Sequence, residues 1–429
     1  MSKKNKLSSL INIFVVFLSI FFVGISSAEQ LVIKAGFVLD ITTGKFLKDK
    51  NIIINDNQIL KITDMVPPEA KIIDLSDSYV LPGLIDMHTH IIGNLSKDYS
   101  SNLFQSPHRS TIGGVVNAKK TLMAGFTSVR NVGAPNFMDV ALRNAIDANE
   151  IPGPRMFVSG PSIGITGGHC DKNELNHDYK QSSDGIADGP WEVRKMVRLN
   201  AKYGVDLIKF CATGGVFSKG TKVGLRQYTL EEMEAMVDEA HTRGLKIAAH
   251  AHGTEGIEYA IRAGVDSVEH VSFLDLKTAK LAKKYGVTLV MDIYNTEYTL
   301  SEGKNNGIPE ENLKKDLETG ERQRQSFSLA VKQGIKLAYG TDSGVYPHGD
   351  NAKQFSRMTT YGMSPLEAIQ SATTGASELL GLSEKIGQIN AGYYADIIAV
   401  NDNPLDRIET LEEVIFVMKN GQVFKGPNQ

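Results

Sequence analysis

Short apolar segments alternate with helical patterns through the middle of this 429-residue chain. Eight of the segments have the length and composition of buried strands, and helical patterns separate most of them. The predicted strands are Leu84–Met87, Thr127–Arg130, Met156–Ser159, Leu207–Phe210, Lys246–Ala249, Ser267–Glu269, Thr288–Met291 and Lys336–Tyr339. Eight such units over about 300 residues are typical of a (β/α)8 TIM barrel, whose functional residues lie at the carboxyl ends of the strands.

Local helix signals support this alternation. The segment from Glu231 to Arg243 is predicted to be a helix because Thr229 can cap its start, acidic residues occupy its first turn and Gly244 follows its end. An open doubly wound sheet is the alternative arrangement. We favour the barrel, since no glycine-rich phosphate loop follows the first strand and polar residues end several strands rather than lining one crevice.

The two ends of the chain have a different, strand-rich pattern. Short β-like runs separated by turn residues occupy residues 30–80, and similar runs return after residue 395 with an Asn420-Gly421 hairpin turn. We therefore predict that both ends build one small β-sandwich domain beside the barrel. The predicted boundaries are 1–28 for an export signal, 29–80 with 388–429 for the sandwich, and 81–387 for the barrel.

The first 28 residues resemble a cleavable export signal. A lysine-rich start precedes an almost wholly apolar stretch from Leu10 to Ile25, and Ala28 ends a run of small residues that suits cleavage. The stretch is short for a membrane span, although an uncleaved anchor stays open. We expect a periplasmic or secreted protein, and export permits disulfides. Whether the only two cysteines, Cys170 and Cys211, pair is not decided by the sequence.

Side chains that suit metal ions end several predicted barrel strands. The first strand is followed by His88-Thr89-His90, a spacing that puts both imidazoles on one face. Two hydrogen-bonded histidines at a strand end are the alternative for this pair alone. The other candidates, one to a strand, are Lys209, His250, His270 and Asp342. Because the strands of a barrel end at one rim, we expect all six side chains to converge.

Lys209 is unusual because it lies inside an apolar strand, where an unpaired charge is costly. A neutral lysine can react with CO2, and the resulting carbamate is an anion whose two oxygens can bridge two metal ions. An ammonium group that reaches the barrel mouth or pairs with an acid is the alternative, and the residue alone does not decide between them.

Together these residues resemble the metal-dependent amidohydrolase superfamily, and the resemblance covers essentially all of residues 30–425. A closing stretch from Gly387 to Leu405 also matches. Within the superfamily the chain is similar to the imidazolonepropionase-related branch, which includes Xaa-Pro dipeptidases (prolidases). The segments that carry this second similarity are Thr166–His169, Ile208–Val216 and Gln227–Glu232.

The resemblance implies a set of roles. His88 and His90 would hold one metal ion with Asp342, and His250 and His270 would hold the second. A carboxylated Lys209 and a hydroxide would bridge the two ions, so the expected cofactors are two divalent ions, with zinc as the expected metal, and a CO2-derived carbamate. The hydroxide would attack the scissile carbonyl, while Asp342 takes the proton and delivers it to the leaving nitrogen.

Loop residues are the candidates for substrate contact. His169 and Tyr228 follow the third and fourth strands, and the resemblance implies that they bind a substrate carboxylate or polarise the substrate carbonyl; packing is the alternative for both. His252 and Cys211 are assigned to supporting or packing roles, and residues 292–325 to a lid or binding loop. The remaining histidines are interpreted as surface or loop residues: His108, His177, His241 and His348.

The sequence thus predicts an exported binuclear amidohydrolase, most simply a dipeptidase of the Xaa-Pro (prolidase) type. One alternative is another amide substrate, such as a dipeptide with a C-terminal arginine or lysine, an N-acyl amino acid or a cyclic amide such as imidazolonepropionate. A non-enzymatic metal- or solute-binding protein is the second alternative. The net charge of −3 does not indicate the basic surface that nucleic-acid binding requires. The expected partner is a small-molecule amide, with no membrane beyond the export signal, and a homo-oligomer stays open.

Overall fold

The computed structural model describes residues 30–93 and 104–426. The predicted export signal over residues 1–28 lies outside these ranges and stays a prediction. Within them the strands are β1 (Leu31–Asp40), β2 (Lys45–Asn55), β3 (Gln58–Thr63), β4 (Lys71–Pro82), β5 (Leu84–Thr89), β6 (Phe126–Asn131), β7 (Arg155–Val158), β8 (Leu207–Cys211), β9 (Lys246–Ala251), β10 (Ser267–His270), β11 (Thr288–Val290), β12 (Leu337–Ala338), β13 (Ile397–Val400), β14 (Phe416–Lys419) and β15 (Gln422–Lys425).

The helices of the same ranges are α1 (Pro107–Met123), α2 (Met138–Asp147), α3 (Pro190–Lys202), α4 (Leu230–Thr242), α5 (Thr254–Ala263), α6 (Leu276–Tyr285), α7 (Asn295–Glu302), α8 (Glu310–Gln333), α9 (Lys353–Thr360), α10 (Pro365–Ser371) and α11 (Thr374–Leu380). None of these helices combines the length and the apolar character that crossing a bilayer requires.

Both ends of the chain meet in one seven-stranded sheet with the order β15-β14-β13-β4-β1-β2-β3. β1 pairs antiparallel with β2 and parallel with β4, and β13 pairs antiparallel with β4. Ile33, Ile52, Val80, Ile397 and Phe416 belong to one buried cluster that joins the two ends. The described residues form a single sheet here, so the second layer of the expected sandwich stays a prediction.

The eight strands of the middle, β5 to β12, lie in two parallel sheets with the orders β5-β6-β7 and β12-β11-β10-β9-β8. All eight predicted strands occur, and every boundary lies within two residues of its predicted position. At one pair of sheet edges the Met87 N–H donates to the Tyr339 carbonyl at 2.7 Å, and at the other the Asp206 N–H donates to the Val158 carbonyl at 2.8 Å. The predicted α/β class with parallel strands is confirmed.

The helix predicted from Glu231 to Arg243 is present as α4, and a second segment without a helix prediction is also helical. α4 begins after Thr229, whose hydroxyl accepts from the Glu232 N–H while the Glu232 carboxylate accepts from the Thr229 N–H, and Gly244 follows with φ +70°. Most of residues 292–325, the segment expected to include a lid or binding loop, is helical in α7 and α8, and its role as a lid or binding loop stays a prediction. The buried face of α8 is largely polar, so it lacks the apolar stripe that identifies a helix in a sequence.

A buried ion pair joins the two sheet systems. Arg155 in β7 donates to Asp396 at 2.6 Å, and the side chains are only 15% and 3% exposed. The Asp396 carboxylate also accepts from the Asn420 N–H at 2.8 Å, and its carbonyl accepts from the Gly83 N–H. Asp396 therefore connects β7, the hairpin before β15 and the start of β5.

We expect Asp396→Ala to lower the free energy of unfolding by about 3 kcal/mol, because it leaves the largely buried guanidinium of Arg155 without its anion. Urea unfolding followed by circular dichroism measures the loss. The matched control is Asp402→Ala, whose partner Arg407 and whose own side chain are more than half exposed, so little change is expected. Equal losses in both variants would contradict a special role for the buried pair.

Candidate metal centre

A cavity of about 420 Å³ opens at the carboxyl ends of the parallel strands, within the size range of small-molecule sites. The structure brings all six sequence-predicted metal ligands to its wall: His88, His90, Lys209, His250, His270 and Asp342. They come from β5, β8, β9, β10 and the turn after β12. Side chains up to 254 residues apart in the sequence therefore share one small volume.

His88, His90 and Asp342 form the first candidate metal group, with ligand atoms within 4.8 Å of one another. Oδ1 of Asp342 lies 3.4 Å from Nε2 of His88 and 3.2 Å from Nε2 of His90. The strand period explains the pair of histidines, since residues i and i+2 share a face. Asp342 reaches them from a turn in which its own φ is +57°, a left-handed conformation that is costly for a residue with a side chain.

His250, His252 and His270 form a second group within the same distance limit. His252, which was expected to have a supporting or packing role, lines the same cavity, and its ring lies 4.7 Å from that of His250 and 4.9 Å from that of His270. The period-two spacing of β9 continues for one residue past the strand and brings His252 to the same face. His270 also has a left-handed backbone, with φ +69°.

Buried partners orient three of these imidazoles through Nδ1. The Nδ1 atoms of His88, His270 and His252 lie 2.8, 2.8 and 2.7 Å from oxygens of Glu269, Asp292 and Ser272 respectively. A histidine held in this way presents Nε2 to the opposite side, as metal-ligating histidines do. The anchoring of Nδ1 therefore points three Nε2 atoms toward the cavity.

The unpaired ring nitrogens test whether a metal ion fits. Among the described residues, the buried Nε2 of His250 has no hydrogen-bond partner, and the buried Nε2 of His88 has only the 3.4 Å contact with Asp342, which does not meet hydrogen-bond geometry. A buried polar atom without a partner costs about 1–3 kcal/mol, and a cation coordinated by these atoms would remove that cost. Imidazole nitrogens with a carboxylate oxygen are also a donor set that zinc-like ions prefer. The residues present thus fit divalent metal ions.

Electrostatics keep four of the candidate side chains in the forms that bind metal, whereas the pKa of His88 is raised because contacts with Asp342 and Glu269 outweigh its burial and the nearby Lys209. Burial, reinforced by neighbouring histidines, lowers the pKa of His250, His252 and His270 well below the usual value, so these rings are neutral. Burial opposes ionisation of Asp342, but the imidazoles of His88 and His90 outweigh it and hold the pKa of Asp342 well below its usual range.

Lys209 is 3% exposed, and its Nζ forms no hydrogen bond or ion pair with a described residue. Burial lowers the pKa of Lys209 to about 8, although the more distant Glu269 acts in the opposite direction. A fraction of this side chain is therefore a neutral amine near neutral pH, which is the nucleophilic form.

Sequence reasoning missed the buried ion pair behind His88. Glu269 is fully buried and accepts from Arg130 at 2.7 and 2.8 Å, from the Ser267 hydroxyl and at His88 Nδ1. Arg130 also donates to the Met87 carbonyl at 2.6 Å. A charged residue inside each of two predicted barrel strands was the available signal, although these strands are less apolar than the one that carries Lys209.

Asp292 was also missed, although it directly follows the predicted strand Thr288–Met291, to which no ligand was assigned. Its carboxylate accepts from Gln323 of α8 at 3.0 Å and from Asn295, besides its contact with His270. Gln323 also donates to the His270 carbonyl at 3.2 Å. Burial and the nearby Asp342 raise the pKa of Asp292. α8 thus supports a ligand through side chains that its sequence pattern concealed.

His169 lies at the cavity wall, as its assignment to substrate contact requires. Its Nδ1 is 2.9 Å from the Ser218 hydroxyl, its N–H donates to Gln227, and its ring stacks on His250 with centroids 4.2 Å apart. A Cβ on Gly215 would lie only 2.5 Å from the imidazole, so the glycine permits this close approach. Burial lowers the pKa of His169 to about 3, so it is a neutral ring.

Tyr228 is not among the described residues that line the cavity. Its side chain is fully buried, its hydroxyl donates to the Ala187 carbonyl at 2.8 Å, and its ring lies edge-on to Phe210. The structure does not support the predicted substrate contact, because the hydroxyl is used inside the protein. Packing, the alternative for this residue, accounts for all of these contacts.

The open question about the cysteines is answered by a disulfide between Cys170 and Cys211, which lies in the cavity wall. His348 needs a correction, because it is buried rather than a surface residue. Its Nε2 lies 3.2 Å from the His90 carbonyl, its Nδ1 lies 3.3 Å from the Ser343 hydroxyl, and burial lowers its pKa to about 4. The three other histidines of that group have exposed rings: His108, His177 and His241.

Comparisons with known proteins agree with this geometry. A model described as the amidohydrolase family matches residues 79–424. Ochratoxinase from Aspergillus niger is 32% identical over 427 residues, which cover 93% of this chain and 88% of the relative. Imidazolonepropionase from Colwellia psychrerythraea is 24% identical over 369 residues, 78% of this chain and 79% of the relative.

Among solved structures, a Xaa-Pro dipeptidase with methionine bound in its active site superposes with a TM-score of 0.88 at 37% identity, over 92% of this chain and all of that one. The A. niger ochratoxinase structure superposes with a TM-score of 0.81 at 30% identity, over 93% and 96% of the two chains. These matches confirm the resemblance and its prolidase-like relation.

We expect Asp292→Asn to weaken divalent metal binding about 10- to 100-fold, because the group that orients His270 through Nδ1 can no longer ionise when a cation binds. Metal retained after dialysis against a chelator series, measured by atomic emission, gives the affinity. Glu239→Gln removes a buried carboxylate that pairs with Arg198 and Arg243 outside the cavity and serves as the control. Equal metal affinity in Asp292→Asn and the wild type would contradict the orienting role.

Proposed function

This chain belongs to the amidohydrolase family, a family of hydrolases that act on C–N bonds, and we propose that it is an exported binuclear metal-dependent dipeptidase of the Xaa-Pro type. One observation carries the proposal: three overlapping groups of imidazoles and carboxylates that suit a metal ion, with an unpaired lysine beside them, face one cavity of about 420 Å³. A donor set of this kind has no ordinary packing role, because it leaves ring nitrogens unsatisfied.

In this proposal His88, His90 and Asp342 would hold one ion, and His250 and His270 would hold the second. Lys209 would contribute as a carbamate. Its neutral Nζ would attack the carbon of CO2, the electron pair of one C=O bond would move to oxygen as the C–N bond forms, and one proton would pass from the nitrogen to water, so that a buried amine becomes an anion with two oxygens. The unpaired state and lowered pKa of Lys209 support this assignment.

Bound divalent cations supply an acidic water and polarise the carbonyl of the amide. The residues of the chain supply the rest. Asp342 is ionised and close to both His88 and His90, so it accepts a proton and transfers it to the leaving nitrogen, which leaves poorly unless protonated. His169 presents its free Nε2 side to the cavity and contacts the substrate carbonyl or carboxylate.

We also propose that β5 to β12 close into one (β/α)8 barrel over residues 81–387, with a sandwich built from residues 29–80 and 388–429 beside it. The hydrogen bonds at both pairs of sheet edges support closure, and so does a second bond at the first pair, from the His90 N–H to the Ser343 carbonyl at 2.8 Å. A closed barrel explains why the candidate ligands of five strands share one rim.

The substrate assignment draws on the neighbours and on the wall of the cavity. The solved Xaa-Pro dipeptidase at 37% identity holds methionine in its active site, which supports an amino-acid amide of small size. Apolar side chains line the cavity beside the metal groups and suit a neutral residue: Ile92, Val132, Pro135, Met138, Phe217 and Val345. The similarity to ochratoxinase favours a second candidate, another amide of an amino acid.

Export is part of the proposal through the sequence of residues 1–28. The disulfide between Cys170 and Cys211 supports it, because disulfides persist in oxidising compartments.

We expect the wild-type protein to bind about two equivalents of a zinc-like metal. We expect Lys209→Ala to lose at least about 100-fold in kcat/KM, because the proposed carbamate, a buried charge partner of the cations worth about 3–5 kcal/mol, is removed. A small carboxylate such as formate should restore part of the activity of Lys209→Ala by taking the vacated place. Lys209→Met, which keeps the volume, is the control and should not respond to formate. Full activity of Lys209→Ala would rule out the carbamate.

We expect a panel of amides to rank Xaa-Pro dipeptides at least about tenfold above dipeptides with a C-terminal arginine or lysine in kcat/KM, because an apolar wall favours a neutral ring over a cation. N-acyl amino acids belong in the same panel, assayed with metal supplied and then chelated. Preference for basic dipeptides or N-acyl amino acids would replace the prolidase assignment with the other amide, and metal binding without hydrolysis of any amide would contradict the enzymatic proposal.

A further inference from the structure

The turn that carries Asp342 is held in an unfavourable conformation. Asp342 has φ +57°, in the left-handed region that residues with side chains adopt uncommonly, aspartate less rarely than most. Such a backbone persists only where surrounding contacts impose it. The N–H of Asp342 donates to the His88 carbonyl at 2.8 Å, and its carbonyl accepts from the Val345 N–H at 3.1 Å. The side chains that hold the flanking residues therefore decide where the Asp342 carboxylate lies.

The segment after this turn, residues 345–354, folds back and presents three buried polar side chains to it; we call this segment the strap. His348 reaches the His90 carbonyl and the Ser343 hydroxyl. Gln354 donates to the carbonyls of Gly340 and Met291. The third, Asn351, is fully buried and is not among the described residues that line the cavity.

Asn351 joins both sides of the turn. Its Nδ2 donates to Oδ2 of Asp86 at 2.8 Å and to the Ser343 hydroxyl oxygen at 3.0 Å. The same Asp86 carboxylate accepts from the Thr341 hydroxyl at 2.6 Å and from the N–H groups of Thr341 and His88 at 3.2 and 3.1 Å. The residues on either side of Asp342 are therefore tied to the strand that carries His88.

The directions of these hydrogen bonds follow from the chemistry of the groups. The His90 carbonyl can only accept, so Nε2 of His348 carries the proton, and the Nδ1 of a neutral ring accepts from the Ser343 hydroxyl. The Ser343 oxygen then accepts from Asn351, whose other N–H donates to the carboxylate of Asp86. Asn351 is the link that supplies two donors at once, and its own Oδ1 accepts from the Gly349 N–H at 3.1 Å.

We propose that Asn351 is a positioning residue for Asp342: it clamps the strained turn so that the Asp342 carboxylate stays within reach of His88, His90 and the leaving nitrogen, without itself touching the substrate. The inference rests on the proposed function, in which Asp342 transfers the proton. An alanine at this position removes both donors while the Asn351 carbonyl stays fixed by the Tyr339 hydroxyl at 2.6 Å.

The leaving group of the substrate provides the test. A dipeptide needs a proton on its leaving nitrogen, whereas the matched p-nitroanilide releases a stabilised amine that needs much less help. We expect Asn351→Ala, assayed at saturating metal, to lower kcat for the dipeptide about 10- to 100-fold and kcat for the p-nitroanilide less than about threefold, with KM nearly unchanged. Asn351→Leu, of similar shape but without donors, should behave in the same way.

Asn200→Ala is the matched control, because Asn200 is equally buried, donates to the Pro161 carbonyl at 2.9 Å and lies away from the cavity. It should lower stability without changing the ratio of the two kcat values. If Asn351→Ala does not fold, Ser343→Ala replaces it as the test variant. It should lower kcat for the dipeptide about fivefold and change kcat for the p-nitroanilide little. Equal slowing of both substrates, or none, would overturn the inference alone; a wild-type protein that cleaves neither substrate would overturn the proposed function and this inference with it.

Discussion

The site depends on how imidazoles are held after they leave water. A buried histidine must satisfy two ring nitrogens, and here carboxylates or a hydroxyl satisfy Nδ1 of His88, His270 and His252. This leaves Nε2 directed at a shared cavity, where a cation is the partner that several such atoms can share. Burial keeps His250, His252 and His270 neutral and lowers the pKa of Lys209, whereas the imidazoles of His88 and His90 keep Asp342 ionised against its burial.

The carboxylates that hold these imidazoles are themselves buried and need partners of their own. Glu269 can stay ionised inside the protein because Arg130 is buried beside it, and Asp292 is held in place by Asn295 and Gln323 from the helices that follow β11. The α7–α8 pair, β6 and the strap each contribute polar side chains for this reason. Networks of this kind are stable only when every member is satisfied, so the elements that carry them are as constrained as the proposed ligands.

The sequence was informative where the period of a single strand decides which side chains share a face. The i, i+2 spacing of His88 and His90 and the polar residues at the ends of β9 and β10 predicted a shared site, and the structure brings those residues together. It misled where a contact comes from elsewhere in the chain. Tyr228 follows the correct strand but turns its hydroxyl to the Ala187 carbonyl, and His348 looks like a loop residue although the strap buries it. No local pattern records such distant partners.

The sequence by itself determined the alternation of strands and helices, the strand-rich ends and which residue types end each strand, because these depend on periods of two and 3.6 residues along the chain. Only the tertiary structure decided which side chains meet. It turned α8 inward with a polar face, paired Cys170 with Cys211, placed Glu269 and Asp292 behind their histidines and forced Asp342 into a left-handed turn. These are contacts between residues far apart in the chain, whose energies arise from burial and from pairing across the fold.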